Sequence, residues 1–220
     1  MYSNNKEKLY LTNIFIIDWD DTLFPTSWVH SNNINLLNLS SVEEYKLYFL
    51  ELDKVLYNFI ESLNSIGDIY IVTNASMSWI KTCLSILNST RKTIIKNNIR
   101  IVSARDIYSS SNESPTKWKI LSFQNIINQV IDNISVNLKK NTYLNIFSFG
   151  DATYEYDALI NLDSYLKNNS KVHNKINYFL KSIKFMHKPK FNLIIEQIKM
   201  IEKNQNDIIN KLDYIDLKFD

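Results

Sequence analysis

The sequence predicts an α/β domain with a largely parallel sheet and helices on both faces. Short, β-branched apolar runs alternate with longer segments whose apolar residues recur at helical spacing, the pattern of βα units. The first of these runs, at 14–18, is apolar at every position from Ile14 to Ile17, as expected of a strand buried on both faces. The chain has 220 residues, 45% of them hydrophobic, enough for one core and short for two. We expect a disordered N-terminus at 1–9 and a single domain over 10–215.

Residues 14–18 form the first expected strand. Residues 24–40 read as an irregular loop rich in Ser and Asn that carries Trp28 and His30, a possible small lid. Ser41 and Glu44 have capping-box spacing, and a helix follows with Tyr45, Phe49, Leu52, Leu56, Phe59 and Leu63 on its apolar stripe. Gly67 is expected to stop it. A second strand covers 69–73, and a helix capped by Ser76 comes next. The third strand is 99–103. After a polar loop, Ser114 and Pro115 open a helix, with Pro at its favoured first position. The fourth strand, 144–149, ends at Gly150-Asp151 and leads into a helix over about 155–166. A fifth strand at about 179–186 and a helix to about 212 complete the chain.

Composition narrows the function. Only Gly67 and Gly150 occur, so no Gly-rich phosphate loop is possible. Cys83 is the one cysteine, which excludes an intramolecular disulfide and a cysteine-based zinc site; its apolar helical setting predicts a buried thiol. His30, His173 and His187 have no ligand spacing. The net charge of +2 gives no drive toward nucleic acid or membrane. A lysine-rich run from 167 to 203, opposed by Glu196 and Glu202, reads as a solvated face. No signal peptide or membrane-length apolar run is visible, and we expect an intracellular protein, cytoplasmic or nuclear.

In parallel α/β sheets ligands bind at the carboxyl ends of strands. Asp18, Asp20 and Thr22 follow the first strand, and Thr73 and Asn74 the second. Lys117 and Lys119 open the helix before the fourth strand, and Asp151, Glu155 and Asp157 follow it. Carboxylates, a hydroxyl and a lysine at one edge suit phosphoryl transfer through an aspartyl phosphate, with Mg²⁺ held by hard oxygen ligands. Asp18 and Asp20, two residues apart in an extended segment, point the same way. One can attack phosphorus while the other protonates the leaving oxygen and later activates water. Trp19, between them, should point into the body of the domain. Asp21 falls out of the alternation and reads as a local cap or surface acid. Trp79 is expected to pack in the core. Trp28, Tyr154 and Arg105 remain open between the site and structural roles.

Four stretches, "FIIDWDDT", "IYIVTN", "SPTKWK" and "FSFGDATYEYD", occur in order over residues 14–157. Together they resemble the four motifs of the haloacid dehalogenase (HAD) superfamily of phosphohydrolases. The resemblance implies a three-layer Rossmann-like fold with five strands in the order 5-4-1-2-3. It implies Asp18 as nucleophile, and Asp20 as general acid and base whose carbonyl also binds Mg²⁺. Thr22 would brace the loop, and Thr73 would bind the phosphoryl group beside Asn74. Asp151 would be a metal ligand, supported by Glu155, whose spacing is the commoner one, or by Asp157. Lys119 is preferred over Lys117 because "WK…F" resembles a less characterised branch that also carries "DWDDTLFP". A response-regulator receiver is disfavoured, since two acids sit together on strand one.

Neither usual insertion point is long enough for a full cap. A capless or minimally lidded enzyme with an open site is therefore expected, a format that resembles phosphatases acting on proteins or other large substrates. The partner is a phosphorylated small molecule or protein. A HAD-fold scaffold with weak catalysis and a phosphotransferase are the alternatives.

Overall fold

The computed structural model describes residues 10–111, 113–135, 142–169 and 177–219. The expected disordered segment at 1–9, and His173, lie outside the described residues. The strands are β1 (Tyr10–Ile17), β2 (Gly67–Thr73), β3 (Arg100–Ser103), β4 (Thr142–Gly150), β5 (Asn177–Lys184) and β6 (Ile215–Lys218). The helices are α1 (Thr26–Ser31), α2 (Leu39–Glu44), α3 (Lys46–Asn64), α4 (Met77–Ile86), α5 (Asn88–Lys96), α6 (Ala104–Tyr108), α7 (Pro115–Ser135), α8 (Thr153–Asn168) and α9 (Phe191–Asn210). No helix among the described residues is long and apolar enough to cross a membrane.

The six strands among the described residues are parallel, in the order β3-β2-β1-β4-β5-β6. The sheet is Rossmann-like, but the expected five strands and their order are corrected by a sixth. β6 pairs outside β5 with Ile183 opposite Leu217, and it runs past the expected boundary at 215. Only Ile215 of β6 is buried. A four-residue strand with one buried residue leaves almost no periodicity to detect in the sequence.

β1 occupies the middle of the sheet, and its alternating side chains feed two cores. Phe15 and Ile17 join Leu56, Phe59, Ile80, Phe149 and Ile198 on the side covered by α3, α4 and α9. Ile14 and Ile16 join Val72, Phe123, Ile127, Leu159 and Leu162 on the side covered by α7 and α8. Ile17 lies opposite Ile71 on one side and Phe149 on the other, so the ends of β1, β2 and β4 are level. That register sets Asp18, Thr73 and Asp151 along one edge.

Several local expectations change. Residues 24–40 are not irregular throughout: they contain α1, and Trp28 packs on Tyr45, Tyr48, Phe49 and Phe191. The capping box at Ser41 and Glu44 does not form. Asn38 caps α2 instead, accepting from the Ser40 and Ser41 amides, because the helix starts earlier. Helices α5 and α6 were not anticipated. Gly67 does not stop α3. It lies within β2, where an added Cβ would stand 2.4 Å from the Asn13 carbonyl oxygen, so close approach to β1 is what requires glycine. Lys181, expected on a solvated face, is buried and donates to the carbonyls of Ile208 and Ile209 at 2.6 and 2.9 Å. Cys83 is buried.

Candidate active site

The chain turns sharply after β1. The Asp18 amide still bonds to the Phe149 carbonyl at 2.9 Å, extending the ladder with β4. The carbonyl of the fully buried Trp19 then accepts from the amides of Leu23 and Phe24 at 3.0 and 2.8 Å, closing a tight loop. Burial of the Trp19 ring on one side leaves Asp18 and Asp20 on the other.

Lys119, one turn into α7, reaches across to this edge. Its ammonium donates to Asp18 Oδ1 at 2.5 Å and to the Val72 carbonyl at 2.5 Å, and it pairs with Glu155 Oε1 at 2.8 Å. It is 1% exposed. Lys117 is only partly buried and makes none of these contacts; its amide caps on Ser114 Oγ at 3.3 Å. Glu155, in the first turn of α8, is buried against Gly150. A Cβ on Gly150 would come within 2.2 Å of Glu155 Cγ, so glycine is what lets the glutamate fold back to the lysine. Asp157 is exposed and takes no part.

Asp20 accepts from three side chains. Thr26 Oγ1 and Trp79 Nε1 donate to Oδ1 at 2.5 and 2.9 Å, and Thr73 Oγ1 lies 3.2 Å from Oδ2. The Thr73 hydroxyl also accepts from the Ala75 amide at 2.9 Å. Asp21 turns away with φ 53 and holds the start of α1, accepting from the Ser27 amide at 2.8 Å and from the Ser27 hydroxyl. Thr22 is fully buried, and its Oγ1 has no hydrogen-bond partner among the described residues, so any bracing comes from packing. Asn74 donates to the Pro115 carbonyl at 3.3 Å and ties the β2 loop to α7. Asp151 is buried, and its Oδ2 lies 2.9 Å from His187 Nδ1. Arg105 and Tyr154 are exposed and contribute none of these bonds.

Carboxylates outnumber the buried cation. Burial raises the Asp18 carboxyl well above its ordinary range; Lys119 opposes this, while Glu155 and Asp20 add to it. Burial alone would lower the Lys119 ammonium, but Asp18 and Glu155 outweigh it and keep the lysine charged. Burial pushes Asp151 up to about 6 against the His187 hydrogen bond, with Glu155 and Asp21 adding. Glu155 Oε2 is buried with no partner among the described residues.

No three His, Cys, Asp or Glu side chains among the described residues form a closed metal cage. A magnesium site does not require one: it is commonly held by one or two carboxylates and several waters. An excess of hard oxygen donors beside one lysine, with an orphaned carboxylate oxygen, is chemistry that a hard divalent cation fits.

Trp79, Thr26 and His187 were not foreseen in these contacts. Trp79 partly packs on the core as expected, but its indole N–H also serves Asp20. His187 follows the end of β5, so the strand-end rule that selected the other residues would have found it if carried one strand further. No protein-family model matches the chain, and no curated protein matches it either.

Proposed function

We propose that the protein is a phosphomonoester hydrolase of the HAD type, working through an aspartyl phosphate on Asp18 with Mg²⁺ as cofactor. The observation that carries this reading is the buried Lys119 gripping Asp18 at the same sheet edge as Asp20 and Thr73. Lys119 fixes the orientation of the Asp18 carboxylate, one oxygen of which attacks phosphorus. Asp20, carried by the same loop, donates a proton to the leaving oxygen and then takes one from the water that hydrolyses the acyl phosphate. The Thr73 hydroxyl and nearby amides bind phosphoryl oxygens, and the Lys119 charge offsets the negative charge that develops.

Asp18, Asp151 and the Asp20 carbonyl would hold the ion. It would supply the positive charge that lets a carboxylate approach a phosphate dianion. Glu155 keeps Lys119 in place and charged. The test is hydrolysis of an aryl phosphate with and without Mg²⁺, alongside Asp18→Asn and Asp20→Asn. Magnesium-dependent turnover abolished by Asp18→Asn is expected. Undiminished turnover in that variant would end the nucleophile assignment.

A further inference from the structure

Beside the acid-rich edge lies a groove of opposite character. It has a volume of about 390 Å³, and Trp28 and His30 of α1 face Lys188, Pro189 and Lys190 across it. No carboxylate among the described residues lines it. Resting on the phosphohydrolase reading, we propose that this groove is a second anion subsite. It would receive a further phosphate or carboxylate carried by the phosphorylated substrate, through the Lys188 and Lys190 ammonium groups.

Three features of the groove argue for this. First, both lysines are exposed, and neither pairs with a carboxylate among the described residues. Lys46, Lys96, Lys167, Lys199 and Lys218 pair with carboxylates; Lys188 and Lys190, like the exposed Lys54, Lys81 and Lys92, do not among the described residues, and what sets these two apart is that they line one groove together. Second, the segment is held in a defined shape. Pro189 is buried, and Lys188 adopts φ 48, a left-handed conformation that a lysine takes at some cost and that marks a constrained turn.

Third, the groove is joined to the candidate catalytic residues on both walls. Ser27, on its α1 wall, bonds to Asp21, and the neighbouring Thr26 bonds to Asp20. His30 packs against Trp79 with the rings tilted by 42° and their centroids 5.6 Å apart, and Trp79 donates to Asp20. On the other wall His187, which bonds to Asp151, directly precedes Lys188. A substrate with its reacting phosphate at Asp18 would leave the acid-rich edge past a lining that welcomes an anion. Complementary charge there favours doubly anionic substrates and disfavours neutral alcohol phosphates.

The test uses the full chain carrying Asp18→Asn, which binds without turnover, in Mg²⁺ buffer. Calorimetry compares an alkyl monophosphate, a hexose bisphosphate, and a phosphoserine peptide with flanking glutamates. At least one doubly anionic probe should bind about tenfold more tightly than the monophosphate. Adding Lys188→Gln and Lys190→Gln should remove that gain and change monophosphate affinity less than twofold. A gain for the bisphosphate indicates a small-molecule substrate; a gain for the peptide alone indicates an acidic phosphoprotein. No gain for either probe, or a gain that survives both lysine changes, overturns the subsite. Aryl phosphate hydrolysis by the unaltered chain separates the two readings. If it is absent while the lysine-dependent gain persists, the phosphatase reading fails and the anion subsite stands.

Discussion

The ammonium of Lys119 lies 2.5 Å from Asp18 Oδ1, although 101 residues separate them in sequence. Among the described residues it is the only lysine that reaches Asp18, and it holds Glu155 as well. Lys119→Met keeps the length of the side chain and removes its charge. We expect kcat/KM on an aryl phosphate to fall about 10²–10³-fold, as when one preorganised donor is lost. Unfolding free energy should drop by about 3–5 kcal/mol because buried carboxylates lose their partner. Lys117→Met should change neither by a comparable amount. Steady-state kinetics and urea titration of both variants check this.

Asp18 behaves differently from its partner. Its carboxyl is raised by burial, which Lys119 opposes while Glu155 and Asp20 add to it, so even against Lys119 its charge is unwelcome until a second cation binds. Asp18→Asn should therefore melt at or above the wild-type temperature in metal-free buffer, while losing turnover. Mg²⁺ should raise the melting temperature of the wild type more than that of the variant. Thermal melts with Mg²⁺ and with chelator read out both expectations. A variant that melts far below the wild type without metal would contradict the charge surplus.

Gly150→Ala places a Cβ where Glu155 Cγ and Oε2 now sit, at 2.2 and 2.5 Å. The glutamate must leave, which costs about 1–3 kcal/mol and frees Lys119 on one side. Removing Glu155 first should make the alanine nearly harmless. A double-mutant cycle of Gly150→Ala with Glu155→Ala should show strong non-additivity in unfolding free energy. Simple additivity would mean that the glycine serves another purpose.

Lys181 makes a pH-dependent contribution of predictable sign. Burial, with Lys211 adding to it, lowers its pKa from 10.5 to about 8. Below about pH 8 both folded and unfolded chains carry the proton, and the cost of the buried charge is fully present. Between about 8 and 10.5 the unfolded chain binds the proton and the folded chain does not, so stability rises with pH. Lys181→Met should lose this component. The difference in unfolding free energy between wild type and variant, measured at pH 7.5 and 9.5, should shift in favour of the wild type at the higher pH.

Much of the fold was legible because it is written in local runs. Ile14 to Ile17 announce a buried strand by being apolar at every position, and Ser76 and Pro115 announce helix starts by their own chemistry. The helix α5 was not legible: Asn88–Lys96 is polar, and its amides at Ser89 and Thr90 are satisfied by the distant Asp53 of α3. Gly67 was misread for a similar reason. Its need for a missing Cβ comes from Asn13 on the neighbouring strand. At the candidate site, Asp18, Asp20, Thr73 and Asp151 could be selected because strand ends are predictable from strands. Trp79 and His187 could not be tied to Asp20 and Asp151 before the helix after β2 and the loop after β5 had places in space.

The sequence by itself determined which residues stand at the ends of the central strands, since strand position and side-chain alternation depend on neighbours along the chain. Tertiary structure decided which of them meet. Lys119 rather than Lys117 enters because two residues of helix turn the side chain through about 200°, and only one face of α7 packs on the sheet. Glu155 rather than Asp157 is buried because α8 packs with Ala158, Leu159 and Leu162 inward, which carries Glu155 toward Gly150 and leaves Asp157 in solvent. These choices rest on burial and long-range packing, which no local pattern encodes.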